Sequence, residues 1–176
     1  MRMQGKIGLV TAAGSGMGKA GAIRFAREGA SVSVVDINPE AVDAVVKEIK
    51  DAGGNAIGIV ADLTKDEESK RIVTETANHF EGLDFVWNHV GYPGPASIEG
   101  IEMKDFELTL DLNLRTILVT TEAALSEFRI RGGGTLLYTA SSSGLMGSGF
   151  SPVYSMAKFG VVGFVKALAK RVAKDN

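Results

Sequence analysis

A glycine-rich turn between an apolar strand and a helix is the feature that most constrains this chain. The run Ile7–Val10 contains no charged or strongly polar residue, Thr11–Gly18 reads T-A-A-G-S-G-M-G, and a helix-compatible segment follows. Backbone N–H groups at a helix N-terminus lack intrahelical partners, and the helix dipole adds positive potential there. Glycines leave no Cβ to block an anion, so the turn predicts a phosphate-binding site. Its candidate contacts are Gly14, Ser15, Gly16, Met17 and Gly18.

The spacing of the glycines decides which kind of turn this is. A P-loop requires G-x-x-x-x-G-K-[ST], but positions 13 and 20 are both alanine, so the first glycine and the magnesium-binding hydroxyl are missing. A literal G-x-G-x-x-G starts at Gly16, five residues after Thr11 instead of at the strand end. The turn fits T-G-x-x-x-G-x-G, with Ala12 at the first glycine position. We expect Ala12 to adopt a conformation open to L-residues, and a merely structural glycine loop is the alternative.

Composition limits the function classes further. The chain has 176 residues, 45% of them hydrophobic and 23% charged, which predicts one soluble domain over residues 1–176. The net charge is −2 and the charges are interspersed, so we expect no nucleic-acid partner. The chain has no cysteine, and we expect no metal site. No secretory signal or membrane-length apolar run occurs, which predicts a cytoplasmic protein without a membrane partner.

Strand-like and helix-like segments alternate after the turn. This alternation predicts an α/β fold, namely a Rossmann-type, doubly wound parallel sheet with helices on both faces and right-handed crossovers. A long helix is expected from Lys104 to Phe128, with apolar coverage broad enough to pack on the sheet and on a partner subunit. The later predicted strands are 31–35, 56–61, 83–87 and 135–140.

An acid stands at the end of the second predicted strand. In a dinucleotide site, an acid there accepts hydrogen bonds from the adenosine ribose hydroxyls and repels a 2′-phosphate. Asp36 therefore predicts NAD rather than NADP, since neither Ser15 nor Ile37 supplies the cation expected for a phosphate. The alternative is an ordinary acid before the helix that begins at Asn38-Pro39.

A tyrosine and a lysine four residues apart follow the last strand. Tyr154 and Lys158 would share one face of a helix. A phenol with a pKa near 10 is a poor base at neutral pH, but a nearby ammonium favours the phenolate. Tyr154 is therefore a candidate general acid/base, and a serine at the adjacent strand end could hydrogen-bond a carbonyl oxygen.

The order of these motifs resembles that of the short-chain dehydrogenase/reductase family over the whole chain. The turn matches apart from Ala12, the segment 88–91 (N-H-V-G) is similar to N-N-A-G, and Y-x-x-x-K follows a helix asparagine and a serine strand end. The resemblance implies a catalytic tetrad of Asn113, Ser141, Tyr154 and Lys158. By the family's serine-to-tyrosine spacing Ser141 is preferred, with Ser142 and Ser143 as alternatives. Asn113 would hold a water in a proton path.

The resemblance also implies further cofactor contacts. An Asp after the third strand would meet the adenine amino group together with the backbone beside it, which points to Asp62 and Leu63. Thr64 and Glu67 also fit a helix capping box, so Asp62 could instead belong to the helix entry. Asn88 would support the sheet, Gly91 would let the cofactor pass close, and Tyr154 and Lys158 would contact the nicotinamide side.

The sequence leaves the roles of three residues open. Asn113 could be a polar residue on a solvent-facing helix surface. His89 is interpreted as a packing or loop residue rather than a chemical one, because no second histidine or carboxylate pair completes a site around it. Tyr92 could touch the substrate from the Pro-rich loop after the fourth strand.

The predicted function is an NAD-dependent oxidoreductase that interconverts a secondary alcohol and a ketone or aldehyde carbonyl. The alternative is a catalytically silent dinucleotide-binding or scaffold domain of the same fold. A serine hydrolase is excluded because no G-x-S-x-G elbow occurs. The family resemblance further implies a small-molecule substrate, a homo-oligomer (tetramer or dimer), and additional carboxyl-terminal strands after Asn176, which this chain lacks.

Overall fold

A computed structural model describes residues 1–175 of the chain. Along this part of the chain, five strands alternate with six α-helices. The strands are β1 (Ile7–Thr11), β2 (Ser31–Asp36), β3 (Asn55–Val60), β4 (Phe85–Asn88) and β5 (Thr135–Tyr138). The helices are α1 (Gly16–Arg27), α2 (Pro39–Asp51), α3 (Asp66–Phe80), α4 (Met103–Leu110), α5 (Thr116–Arg131) and α6 (Pro152–Val172).

The strands form one parallel sheet in the order β3-β2-β1-β4-β5. Leu9 in the central strand β1 pairs with Ser33 of β2 on one side and with Val86 of β4 on the other. β2 and β4 therefore lie on opposite sides of β1, and after β3 the chain crosses back over the sheet to form β4. In such a sheet, ligands bind in the crevice at the carboxyl ends of the strands where the order reverses. This confirms the predicted Rossmann-type fold class.

Two apolar clusters, one on each face of the sheet, form the core. Adjacent residues of β1 point to opposite faces, so Leu9 joins the cluster with α3 and α5, whereas Val10 joins the cluster with α1 and α2. Both residues are fully buried. A central parallel strand covered on both faces needs a continuous apolar run, which explains the sequence of β1.

The predicted helix 104–128 is wrong in one respect, since a π-helical turn, Asp111–Arg115, interrupts it between α4 and α5. The Asn113 side chain donates to Thr109 O at 2.8 Å, and the Thr116 N–H bonds to Asp111 O, five residues back. A side chain that competes for a helix carbonyl in this way opens the turn. Such π-helical turns are frequent at functional sites.

Other element ends differ from the predictions by up to three residues, as for α5, which ends at Arg131 instead of Phe128. The strands that the family resemblance implies after Asn176, and Asn176 itself, lie outside the described residues. Within residues 1–175, no helix has the length and apolar character needed to cross a bilayer. The same residues contain no cluster of acidic and histidine side chains that could hold a metal ion.

Candidate active site

The glycine turn presents the unpaired N-terminus of α1 to open space. Ser15 precedes this helix without making a side-chain capping hydrogen bond, and the first turn contains no acidic residue. A Cβ added to Gly16 would meet no atom within 4 Å, whereas one on Gly18 would overlap Ala12 O. Gly18 thus allows α1 to pack tightly on the turn, and Gly16 leaves the approach clear. This arrangement suits an anionic phosphate.

Ala12 adopts a left-handed conformation with φ +51°. The expectation of a conformation open to L-residues is therefore wrong. The turn is tight here, because Ala13 N–H bonds to Val35 O at 2.9 Å while Ala12 O lies against Gly18. Left-handed backbone costs an L-residue about 1 kcal/mol, which explains why glycine is typical at this position of the turn.

Asp36 links the end of β2 to the glycine turn. Its Oδ2 accepts a hydrogen bond from Gly14 N at 2.9 Å, and its Oδ1 accepts one from Asn38 N at 3.1 Å. The residue that caps α2 is Asn38, whose Oδ1 accepts from Ala41 N. Asp36 is therefore not the cap of that helix. It places a half-buried carboxylate, with lone pairs to spare, beside the turn.

A cleft of about 370 Å³ extends from Asp36 toward the end of β3. It is lined by Ala12, Asp36, Ile37, Ala61, Asp62, Leu63, Thr64, Val90, Leu108 and Leu112. Three of the predicted cofactor residues lie here together, and the apolar remainder gives a surface suited to a flat ring. Ile37, Leu108 and Leu112 were not predicted as site residues. No sequence pattern marks them, because only the folded chain brings them to the same cleft.

Asp62 is held by the residues that follow it. Thr64 donates to Asp62 Oδ1 through its hydroxyl at 2.7 Å and its N–H at 3.2 Å, and Lys65 Nζ lies 3.4 Å from Oδ2. The hydrogen bond from the Thr64 hydroxyl is the main reason why the pKa of Asp62 is lowered. The predicted capping box is absent, because α3 starts at Asp66 and Thr64 is turned toward Asp62.

Lys158 is buried beneath Tyr154. Its side chain is only 1% exposed, its Nζ donates to Thr139 O at 2.9 Å, and Nζ lies 5.5 Å from the centroid of the Tyr154 ring. Burial lowers the pKa of Lys158. Ser151, just before α6, donates to Pro93 O at 2.9 Å and so ties the start of this helix to the loop after β4. Tyr154 itself is half-buried.

Asn113 is completely buried, which excludes the alternative of a solvent-facing polar residue. Its Nδ2 donates to Tyr92 O at 2.7 Å and to Thr109 O at 2.8 Å, whereas its Oδ1 has no hydrogen-bond partner among the described residues. A Cβ on Gly91 would lie 2.9 Å from that Oδ1 and 3.3 Å from Lys158 Nζ. Gly91 thus borders a small space between Asn113 Oδ1, an acceptor without a partner among the described residues, and the donor Lys158 Nζ.

Ser141 stands between β5 and a single 3₁₀ turn, Ser142–Gly144. Its Oγ accepts a hydrogen bond from Ser143 N at 3.1 Å, and its side chain is half-buried, whereas Ser142 is exposed. Gly144 packs directly on Lys158 O, since a Cβ there would lie 2.6 Å away. The loop that follows exposes Leu145, Met146 and Phe150, and the segment 139–157 carries no charged residue.

Asn88 ties the sheet to α5. Its Oδ1 accepts from Thr120 Oγ1 at 2.6 Å, and its backbone O accepts from Thr139 N at 3.0 Å. The neighbouring His89 lies against the glycine turn, with Nδ1 2.8 Å from Thr139 Oγ1. Thr120 and Thr139 were not singled out from the sequence, because single threonines carry no pattern that distinguishes them.

The glycine turn, the acid at the end of β2 and the Tyr-Lys pair lie at one edge of a parallel sheet, and together they define a nucleotide-binding protein of Rossmann type. The sequence model of the family described as short chain dehydrogenase matches residues 6–176, and the chain belongs to this family. An uncharacterized oxidoreductase of Thermotoga maritima is 36% identical over 96% of this chain and 66% of its own length. The chain thus spans about two thirds of such relatives.

Solved structures agree with this assignment. A 7 alpha-hydroxysteroid dehydrogenase complexed with NADH and 7-oxo glycochenodeoxycholic acid superposes with a TM-score of 0.95 at 30% identity, over 99% of this chain and 68% of that one. A short chain dehydrogenase from Burkholderia cenocepacia in complex with NADP gives 0.93 at 29% identity, over 99% and 71%. The two neighbours hold different cofactors, so membership of the family leaves the choice between NAD and NADP open.

Proposed function

We propose that the protein is an NAD-dependent oxidoreductase that interconverts a secondary alcohol and a carbonyl compound. The observation that carries this proposal is the burial of Lys158 beneath Tyr154, with its Nζ on Thr139 O at 2.9 Å. An ammonium is costly to bury, so its position next to a phenol calls for a functional reason. The glycine turn, open at the same edge of the sheet, supplies the place for a cofactor.

The residues present fit a dinucleotide. In this proposal the free N–H groups from Gly16 to Gly18 bind the pyrophosphate, Asp36 accepts from the adenosine ribose hydroxyls, and Lys158 binds the nicotinamide ribose. Adenine occupies the 370 Å³ cleft beside Asp62 and Leu63. When bound, the nicotinamide supplies the hydride acceptor for alcohol oxidation or the hydride donor for carbonyl reduction.

Tyr154 handles the proton in this proposal. During oxidation its phenolate takes the proton from the substrate hydroxyl, and during reduction the phenol returns a proton to the carbonyl oxygen. The Lys158 ammonium stabilises the phenolate, and the Ser141 hydroxyl orients the substrate oxygen. Asn113 Oδ1, buried without a partner among the described residues, is suited to hold a water that connects Lys158 to solvent.

NAD is proposed over NADP because of charge. The Asp36 carboxylate is fixed beside the turn by Gly14 and Asn38. A 2′-phosphate bound here would face this carboxylate, and the exposed Ile37 that follows offers no positive charge. The proposal also includes a cytoplasmic location and a small-molecule alcohol or carbonyl substrate.

Turnover tests the proposed activity. A panel of secondary alcohols with NAD should give NADH formation, and Tyr154→Phe should reduce kcat by at least about a hundredfold, because general acid/base catalysis contributes on the order of 10² or more. Tyr138→Phe is the control, because the Tyr138 hydroxyl bonds to Thr121 and takes no part in the proposed reaction, and it should keep most of the activity. NADH binding without turnover by the wild type would instead support a silent dinucleotide-binding domain.

A further inference from the structure

His89 lies between the glycine turn and the lysine of the proposed active site. Its backbone N–H donates to Thr11 Oγ1 at 2.9 Å, where β1 enters the turn. Its ring lies against Gly18, since a Cβ on that glycine would sit 2.9 Å from His89 Cδ2. The side chain is half-buried, with Gly18 against its Cδ2 and Thr139 Oγ1 against its Nδ1. The proposed reaction gives this residue no role.

Hydrogen bonding around Thr139 assigns the tautomer of this histidine. Trp87 Nε1 donates to Thr139 Oγ1 at 3.0 Å, and His89 Nδ1 lies 2.8 Å from the same oxygen. The Thr139 hydroxyl can accept from the indole N–H and still donate its own proton, and among the described residues His89 Nδ1 is the one group bonded to it that can accept that proton. We therefore assign Nδ1 as the acceptor, so that the neutral imidazole carries its proton on Nε2.

The same threonine holds the catalytic lysine. Thr139 O accepts the hydrogen bond from Lys158 Nζ at 2.9 Å, so one residue contacts His89 through its side chain and Lys158 through its backbone. Thr139 lies one residue beyond the end of β5, where its N–H bonds to Asn88 O at 3.0 Å. Its position therefore depends on the hydroxyl contacts as well as on the sheet.

The charges around the imidazole disfavour its protonation. Burial is the main cause that lowers the pKa of His89, and the Lys158 ammonium on α6 lowers it further. On α1, Lys19 follows Gly18, but its Nζ is paired with Glu48 at 2.9 Å. A protonated His89 would add a positive charge near Lys158 and would lose the acceptor that Thr139 bonds to.

We infer that His89 is a positioning residue, which in its neutral form anchors Thr139 so that the Thr139 carbonyl keeps Lys158 Nζ beneath Tyr154. This inference rests on the proposed function for the role of Lys158. It differs from the packing role expected from the sequence, because packing requires neither a particular tautomer nor a neutral ring. Activity should accordingly fall in acid as His89 becomes protonated.

The tautomer can be measured without any activity. The chain has two histidines, and His79 is exposed on α3, so ¹⁵N-labelled imidazoles give two resonance sets that His79→Gln assigns. The inference predicts that His89 is an Nε2–H tautomer with a pKa below the ordinary histidine value of 6.5. A population with the proton on Nδ1, or a pKa above that value, would overturn it.

Two pairs of variants then test the effect on the lysine. His89→Asn places an acceptor near the Nδ1 position without a titrating group, whereas His89→Leu removes the acceptor. We expect His89→Asn to keep kcat/KM at neutral pH within about threefold and to lose the acid decline. His89→Leu should lower kcat/KM about tenfold at neutral pH, the scale of one hydrogen bond, and its difference from the wild type should shrink in acid. Thr139→Val, which removes the hydroxyl, should behave like His89→Leu at neutral pH, whereas Thr139→Ser should keep both the activity and the acid decline of the wild type.

Equal neutral-pH activity in His89→Leu and the wild type, or an unchanged acid decline in His89→Asn, would overturn the inference. If no alcohol were turned over by the wild type, the proposed function would fail separately. The Lys158 pKa, measured by NMR, would then decide the inference on its own. It should change in His89→Leu and stay unchanged in His89→Asn, and no change in either variant would contradict the positioning role.

Discussion

Lys158 shows how a single residue can work against the stability of the fold. Among residues 1–175, Lys158 is the only residue with a charged side chain that is buried. Its Nζ makes one hydrogen bond, to Thr139 O. A buried ammonium with few partners costs free energy that an apolar side chain of similar length does not. Its presence is therefore explained better by chemistry than by packing.

The pH dependence of stability should report this cost. Burial lowers the pKa of Lys158 below its ordinary value of 10.5. Between the two values the unfolded chain binds more protons, so the contribution of Lys158 to the free energy of unfolding rises with pH there and is constant below. We expect Lys158→Met to be at least as stable as the wild type near neutral pH, with an advantage that shrinks as the pH rises toward the ordinary lysine pKa. Chemical denaturation across this range measures it, and a growing advantage would contradict the predicted cost.

Ala12 is a second single residue that lowers the stability of the fold, because its backbone conformation is strained. Its φ of +51° is left-handed, so Ala12→Gly should relieve about 1 kcal/mol, less the extra entropy that glycine has in the unfolded chain. We expect a small rise in Tm, measured by calorimetry. The neighbouring Ala13 is fully buried and serves as the control, since Ala13→Gly removes a packed methyl and should lower Tm. A fall in Tm for both variants would argue against strain at Ala12.

At the scale of elements, the π-helical turn couples α4 and α5 to the loop after β4. The buried Asn113 side chain donates two hydrogen bonds, to Tyr92 O and Thr109 O. Asn113→Ala should lower the free energy of unfolding by about 2 kcal/mol, since each bond is worth about 1 kcal/mol, and should speed amide exchange after residue 92. Asn55→Ala, at an exposed side chain bonded to Ser31, is the control and should cost under about 0.5 kcal/mol. Equal losses would contradict a special role for the turn.

The elements also show which features can be predicted from the sequence. The strands, the crossovers and the fold class follow from apolar runs and from the alternation of strands and helices, which are local patterns. The π-helical turn was not predictable, because no local pattern shows that the Asn113 side chain bonds to Thr109 O within the helix and to Tyr92 O in a distant loop. Thr64 likewise fits a capping pattern but bonds to Asp62 in the folded chain.

The residues of the candidate site likewise form two groups, those that sequence patterns predict and those that no pattern marks. Asp36, Tyr154 and Lys158 were singled out because strand ends and helix spacing bring them to one edge of the sheet. Their neighbours Thr120, Thr139 and Leu112 were not, because no motif marks them, and only the packing of distant segments makes them neighbours. The roles assigned to the site residues remain predictions that the experiments above test.

At the scale of the whole molecule, an apolar groove runs between the π-helical turn, α5 and α6. It is about 670 Å³ in volume and contains an exposed Leu118. Its apolar lining residues are Leu110, Leu114, Ile117, Leu118, Val161 and Phe164. We propose that this face contributes to a homo-oligomer, as expected from the broad apolar coverage of these helices.

Oligomeric state tests this proposal. Leu118→Glu should place a charge in the interface and shift the protein toward the monomer in light scattering coupled to size-exclusion chromatography. Ile130→Glu, at another exposed apolar residue of α5 outside the groove, is the control and should leave the mass unchanged. An unchanged mass for Leu118→Glu, or a monomeric wild type, would remove the proposed interface.

Binding of NADH by the glycine turn and Asp36 underlies every proposed role of the site, and titration of NADH and NADPH followed by nicotinamide fluorescence tests it. We expect the wild type to prefer NADH. Asp36→Asn should weaken NADH binding about tenfold while the preference over NADPH shrinks, because a charge-assisted hydrogen bond and a repulsive charge are both lost. Asp51→Asn, at an exposed acid paired with Lys47, should change neither affinity. Tighter binding of NADPH by the wild type, or no binding of either nucleotide by the folded chain, would show that the turn and Asp36 do not form an NADH site.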